Sequence, residues 1–262
     1  MTGHPVYQNI PSSRIATFDV YSIGLTRHHV SALLEFDVTG TRMKLREMKR
    51  SGRKVSFSGW IIRAISKAVE LHPEAAAYLG SRKKLVIFRD INVSMIVEKE
   101  VDGKKVPIPM IIEKANEKGI EEITREIEVA KDKALTKNDI VLNEKPKFYE
   151  RLYYRLPGAF RRRIWRILLR YPKIAYKKMG NVVVTSPGMM GTIKGWFIHK
   201  TVHPLSFGIG SVLKKPVVIG DEVKVREILN MTILIDHDVI DGAPMVRFLN
   251  DLTRFIESGS EL

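Results

Sequence analysis

The stretch Met231-Thr-Ile-Leu-Ile-Asp236-His237-Asp238-Val239-Ile240-Asp241-Gly242 limits what this chain can fold into more than any other. Its run of mostly apolar, β-prone residues predicts a buried strand. The run ends in a cluster of polar groups and a glycine, and Ala243 to Glu257 then follows a helical pattern. A histidine flanked by carboxylates at a strand end can be held near neutral pKa in one tautomer, ready to take a proton. A satisfied histidine that merely closes a strand is the structural alternative. The full pattern His-x-x-x-Asp-Gly, set between an apolar strand and an amphipathic helix, is more specific than an isolated pair.

The 262 residues are enough for one large domain with an ample core. A hydrophobic share of 44% and a charged share of 28% suit a folded, soluble chain. There is no cysteine, which excludes disulfides, thiolate metal sites and a cysteine nucleophile. The first residues show neither a basic n-region nor an apolar h-region, and no apolar run approaches membrane-spanning length. A cytoplasmic location is the expectation, with peripheral contact at a membrane left open.

The formal charge of +15 is concentrated in one place. Between Lys145 and Lys178 there are twelve Lys or Arg against the single acid Glu150, a local balance of +11. At 100° per residue Phe160, Ile164, Ile167, Leu168 and Tyr171 fall on one stripe, while Arg162, Arg163, Arg166 and Arg170 fall on another. A basic amphipathic helix of this kind either docks on its parent domain or lies on an anionic membrane surface. No RNA-binding or helix-turn-helix signature is present, so nucleic acid is not expected.

Taken in order, residues 15–20 predict a short extended piece. Val30 to Val38 predicts a strand, and Thr39 or Thr41 the cap of a helix that runs through Arg50. Ser56 starts a second helix, with Trp60, Ile61, Ala64, Ile65, Ala68, Val69 and Leu71 on its apolar face, and His72-Pro73 stops it. Asn92 to Glu98 alternates as a strand does, Asp102-Gly103 is a hairpin turn, and the proline-bearing Val106 to Ile112 suits an edge. A helix follows from Gly119, with Ile120, Ile123, Ile127 and Ala130 on one face. Asn181 to Thr185 and Ser206 to Val218 are further strands. His199 and His203 are four residues apart, but Gly195, Pro204 and the lack of a third ligand make them loop histidines, and no metal is expected.

The segments Asp236-His237-Asp238-Val239-Ile240-Asp241-Gly242, Asn181-Val-Val-Val-Thr185-Ser186-Pro187-Gly188-Met189-Met190-Gly191 and Ser206 to Val218 together resemble the catalytic domain of the acyltransferases of 2-oxoacid dehydrogenase complexes, and their relative chloramphenicol acetyltransferase. The former family carries Asp-His-Arg-x-x-Asp-Gly; here Asp238 replaces the arginine. The resemblance covers about four-fifths of the chain. It implies an α/β fold of α+β two-layer type, a mixed β-sheet flanked by helices, as a single domain over residues 1–262. A basic helical insertion at 136–180 interrupts the likeness. No lipoyl or subunit-binding module is recognised, so a free-standing domain is expected.

By the same resemblance, His237 is the general base of direct acyl transfer from acyl-coenzyme A to an acceptor that the sequence does not identify. Thr185 donates to the oxyanion from a neighbouring subunit of a homotrimer. Asp241 is structural, with Arg27 as its candidate partner, and Ser186 and Gly242 support the site. Coenzyme A is substrate, and its contacts are not placed. The rival expectation is a non-catalytic scaffold or binding protein that keeps the fold, attached to an anionic surface through residues 145–178.

Overall fold

The computed structural model describes residues 4–7, 10, 12–80, 84–101, 104–132, 148–191 and 193–260. In chain order its elements are α1 (Ser12–Gly24), β1 (His29–Asp37), α2 (Thr39–Arg50), α3 (Phe57–Leu71), β2 (Tyr78–Leu79), β3 (Leu85–Val86), β4 (Val93–Val101), β5 (Lys104–Ile112), α4 (Ile120–Asp132), α5 (Phe148–Arg155), α6 (Gly158–Arg170), α7 (Pro172–Met179), β6 (Val182–Thr185), β7 (Leu205–Ile219), β8 (Glu222–Asp236) and α8 (Gly242–Ser258). Short 3-10 turns lie at Pro73–Ala76 and Pro187–Met190.

The apolar stretch that ends at Asp236 is the second half of β8, and it is paired antiparallel on both sides. Ile235 sits opposite Val30 of β1 on one flank and Leu205 of β7 on the other. The six-stranded sheet runs β1-β8-β7-β6-β4-β5, with β6 parallel to both of its neighbours and every other pairing antiparallel. This is the mixed sheet expected. Leu229, Met231, Ile233 and Ile235 point from β8 into a core shared with Trp60, Ile61 and Ile65 of α3 and Phe248 and Leu252 of α8. Burial of each such side chain stabilises the fold by about 1.5–3 kcal/mol. On the opposite face the irregular segment 193–204 covers β7 and β8. Trp196 Nε1 donates to Leu34 O at 3.1 Å, and Asn230 Nδ2 donates to Gly195 O at 3.2 Å.

Ser56 caps α3 as predicted, its Oγ accepting from Gly59 N at 3.0 Å. β5 is an edge strand, in keeping with its prolines. The Asp102-Gly103 turn lies outside the described residues, as do Lys145 and Lys147.

Two local expectations are corrected. Residues 15–20 lie in α1 rather than in an extended piece, because Ile23 and Val20 find apolar partners in Leu169 and Ala175 of α6 and α7. Tertiary packing of one face decides the conformation here, against weak local periodicity. Neither Thr39 nor Thr41 caps α2. Asp37 Oδ1 accepts from the Thr39 amide at 3.0 Å and its hydroxyl at 2.6 Å, while buried Thr41 donates to Ile256 O at 3.0 Å, tying α2 to α8.

The basic insertion forms three helices in its described part. Of the stripe read from the sequence, Leu168 docks α6 together with Trp165 and Leu169, while Phe160, Ile164, Ile167 and Tyr171 face solvent. The helix carries one wide apolar arc, and only one side of it packs on the domain. Its docking is fixed by Asp19 of α1, which is 2% exposed and accepts from Arg161 Nε at 2.7 Å and Tyr153 Oη at 2.9 Å. Trp165 Nε1 donates to the same phenol oxygen at 3.0 Å.

An Asp19→Ala variant leaves Arg161 and Tyr153 without their shared acceptor. Removing one partner of a buried, hydrogen-bonded ion pair is expected to cost about 3 kcal/mol in urea unfolding, with faster proteolysis in α5 and α6. Unchanged unfolding and cleavage would show that apolar packing alone holds the insertion.

Candidate active site

At the end of β8 the chain must pass from a buried strand to the surface within a few residues. Asp236 is 1% exposed, whereas His237 and Asp238 are exposed. A buried carboxylate needs compensation, and that of Asp236 has two partners. Arg27 Nη1 approaches its Oδ2 at 3.4 Å and the Asp238 amide donates to its Oδ1 at 3.1 Å, while the backbone amide of Asp236 donates to Pro204 O at 2.9 Å. Arg27 therefore secures Asp236 within this chain, not Asp241 as the resemblance suggested. Asp241 is exposed and stands just before α8 at its N-cap, where its carbonyl accepts from Met245 N at 3.0 Å and its side chain makes no capping bond. Gly242 is the first residue of that helix.

The His237 amide donates to His28 O at 3.0 Å, which pins the backbone of the turn to the start of β1. Neither flanking carboxylate contacts its imidazole. Asp236 turns inward to Arg27, and Asp238 Oδ1 meets His28 Nδ1 at 2.9 Å. The His237 ring has no hydrogen-bond partner among the described residues, so it is free to receive a donor from outside the chain. The hydrogen bond to Asp238 and its charge raise the pKa of His28 above the usual histidine value.

Behind this turn lies a group of enclosed histidines. His29 Nε2 pairs with His203 O at 2.9 Å, and His203 in turn contacts Met179 O through Nε2 at 3.0 Å and Thr201 Oγ1 through Nδ1 at 3.0 Å. His199 Nε2 pairs with Ser206 Oγ. Desolvation lowers the pKa of all three rings, and pushes that of His203 down to about 4. His199 and His203 are thus loop histidines that tie segment 193–204 to the sheet. No group of three metal-ligating side chains occurs among the described residues.

The Thr185 end of β6 is built differently. Thr185 closes the strand, and Ser186 opens the 3-10 turn Pro187–Met190 beside Phe57 and Ile62 of α3. This turn lies directly on β7 at an irregularity between Ile209 and Val212. A Cβ on Gly188 would fall 2.0 Å from the Gly210 carbonyl carbon, and one on Gly210 would fall 2.6 Å from Asn230 O. Only glycine permits both approaches. Ser211, 5% exposed, fastens the turn. Its Oγ lies 3.1 Å from Gly188 O and 2.9 Å from Gly191 O, and it accepts from Ile193 N at 3.0 Å. Sequence reasoning passed over Ser211, although glycines inside a strand, at 208 and 210, are a signal of close backbone approach.

Thr185 and His237 do not meet within one chain. Thr185 is in register with Gly208, and Gly208 with Thr232, five residues before His237. With a rise of about 3.3 Å per residue and about 4.8 Å between strands, the two positions are separated by roughly 19 Å. The free edge of the sheet beside His237 is apolar: Leu25, Val30, Leu33 and Ile198 are all exposed.

The mixed sheet with helices on one face, and a histidine turn at the end of its long penultimate-edge strand, define a two-layer fold of the acyltransferase type. The family model for the 2-oxoacid dehydrogenases acyltransferase catalytic domain matches residues 25–141 and 173–262, and the chain belongs to that family. The dihydrolipoyllysine-residue acetyltransferase component of the pyruvate dehydrogenase complex of Rickettsia prowazekii is 28% identical over 209 residues, 78% of this chain and 41% of the relative. The chain thus spans well under half the length of that curated relative. Among solved structures, the dihydrolipoamide acetyltransferase of Azotobacter vinelandii superposes with a TM-score of 0.66 at 15% identity, covering 98% of this chain and 96% of that one. A chloramphenicol acetyltransferase superposes with a TM-score of 0.51 at 12% identity, covering 95% and 96%. Both likenesses bear out the expected fold.

Because its folded pKa is depressed, His203 contributes stability that is fully present above the unfolded value of 6.5 and is lost as pH falls towards about 4. His29 and His199 act in the same direction. Across this window His203 is expected to account for a loss of about 2 kcal/mol. Urea midpoints measured from pH 7 to pH 4.5 should fall less steeply in a His203→Gln variant; parallel slopes would remove His203 as the source.

Proposed function

We propose that this chain is an acyltransferase that moves an acyl group between coenzyme A and a thiol acceptor of dihydrolipoyl type. In this reading His237 is the general base, Thr185 the oxyanion donor and Asp241 a structural residue beside the base. The observation that carries it is a spacing. In the Azotobacter enzyme, a serine, a histidine 52 residues later and an asparagine four residues after that have been studied for their part in catalysis. Thr185, His237 and Asp241 stand at the same two spacings here. Family membership and the acetyltransferase relative support the choice of reaction and of acceptor.

The chemistry follows from what each group can do. The imidazole of His237, which has no partner among the described residues, accepts the proton of the acceptor thiol as its sulfur attacks the thioester carbonyl. The carbonyl oxygen gains negative charge, and a hydroxyl donor such as that of Thr185 stabilises it in the tetrahedral intermediate. Collapse breaks the bond to the coenzyme A sulfur, which leaves with the proton held by His237. No acyl-enzyme forms. Asp238, which stands where family members carry arginine, is committed to His28 rather than to the base.

The separation of roughly 19 Å between Thr185 and His237 requires the two residues to be supplied by different subunits. A homotrimer meets this requirement by cyclic repetition of one interface. The apolar side chains along the β1 edge give that interface something to bury.

With acetyl-coenzyme A and dihydrolipoamide, formation of S-acetyl-dihydrolipoamide can be followed by mass spectrometry. His237→Ala is expected to lower the rate at least about 10³-fold with the fold intact, since a general base typically contributes about 10²–10⁴-fold and the adjacent His28 is held by Asp238. Retention of wild-type turnover would remove the mechanism. No product with the wild type across acyl donors would favour a scaffold that keeps the fold.

Subunit sharing has its own test. Co-assembled Thr185→Ala and His237→Ala subunits, each inactive alone, should recover roughly a quarter of wild-type activity, the share of sites that draws both intact residues from a random mixture. A monomer that is active in sedimentation would exclude the shared site.

A further inference from the structure

The docking of α6 leaves a second apolar surface open. Phe160, Ile164, Ile167 and Tyr171 are 61%, 45%, 49% and 54% exposed, and Ile174 of α7, 50% exposed, extends the stripe around the corner. Arg163, Arg166 and Arg170 run along its flank, Lys173 follows on α7, and all four are exposed with no ion-pair partner among the described residues. Residues 148–179 carry ten Lys or Arg against one acid. Where α6 meets α7, an open groove of about 780 Å³ is lined by Val86, Tyr171 and Ile174, with Arg170 and Lys173 among its walls. Apolar lining and cations therefore share one concave site.

We infer that this face of α6 and α7 is a docking surface for an anionic phospholipid bilayer. The stripe enters the boundary between headgroups and acyl chains, and the arginines stay at the phosphate level, their stems lying along apolar surface. The corner groove accepts a headgroup with the upper part of its acyl chain. Three observations favour lipid over other occupants. A second copy of the same face would bring like charges together without compensation. A nucleic acid would use the cations but leave the isoleucines wet. The segments matched by the family model stop at 141 and resume at 173, so α5 and α6 lie outside the part held in common with acyltransferase relatives. The inference stands independently of the proposed catalysis.

Co-sedimentation with vesicles tests it on the full chain. Wild type is expected to pellet with vesicles of equal parts phosphatidylglycerol and phosphatidylcholine, and not with phosphatidylcholine alone. The binding should weaken as salt rises beyond about 0.1 M, where the Debye length is near 10 Å. A variant with Arg163, Arg166, Arg170 and Lys173 all changed to Ser should bind the anionic vesicles at least about tenfold more weakly. Ile164→Ser/Ile167→Ser should also lose binding. Arg161 is kept in both because it holds Asp19. All six altered side chains are exposed, and a thermal melt checks that each variant folds as wild type does. Equal pelleting with both vesicle types, or none with either, overturns the inference. So does unchanged vesicle binding by the isoleucine variant together with full competition by RNA, which would make the face a phosphate-tracking surface.

Discussion

The antiparallel pairing of β8 on both sides is the constraint on which the rest depends. A strand hydrogen-bonded to β1 and β7, and buried on both faces from Ile228 to Asp236, cannot slip in register without turning its core side chains outward. That fixity carries to its end. Asp236 is the last residue inside, and its carboxylate is compensated by Arg27 and by the turn that follows. His237, one residue on, is delivered to the surface at a fixed place with its ring unclaimed by any described residue.

The same sheet keeps Thr185 and His237 apart in one chain, as the proposed shared site requires. β6 runs parallel to β7 while β8 runs antiparallel to it, so the C-terminal ends of β6 and β8 point in opposite directions along the layer. Stacking of glycines at 188 and 210, fastened by Ser211, holds the Thr185 end as firmly as Arg27 and His28 hold the other. In the proposed site both turns are thus held by contacts within one chain, as preorganisation requires.

The insertion obeys a different rule. Its described part adds no strand, and it is joined to the domain by one buried carboxylate, a small apolar cluster and hydrogen bonds that tie α7 to Ser94, Asp90 and His203. A helix with a wide apolar arc can satisfy a narrow docking site with one part of that arc and leave the remainder exposed. The cations on α6 follow from this geometry: one, Arg161, is spent on the joint, and the others remain at the surface.

The strand and helix pattern was legible in the sequence wherever the apolar period was strong, in β1, α3, β4, α4, β8 and α8. There, local pattern and tertiary burial demand the same thing. The candidate trio Thr185, His237 and Asp241 was legible too, because a histidine motif at a strand end and a hydroxyl before a Pro-Gly turn are local signatures. Tertiary structure alone decided the partners. Arg27 is 209 residues from Asp236 and Asp19 is 142 from Arg161, separations across which no local pattern chooses which acid meets which base. It also decided that residues 15–20 are helical and which face of α6 docks. Both depend on apolar surface supplied by distant segments, and a chain read residue by residue holds the faces but not their pairing.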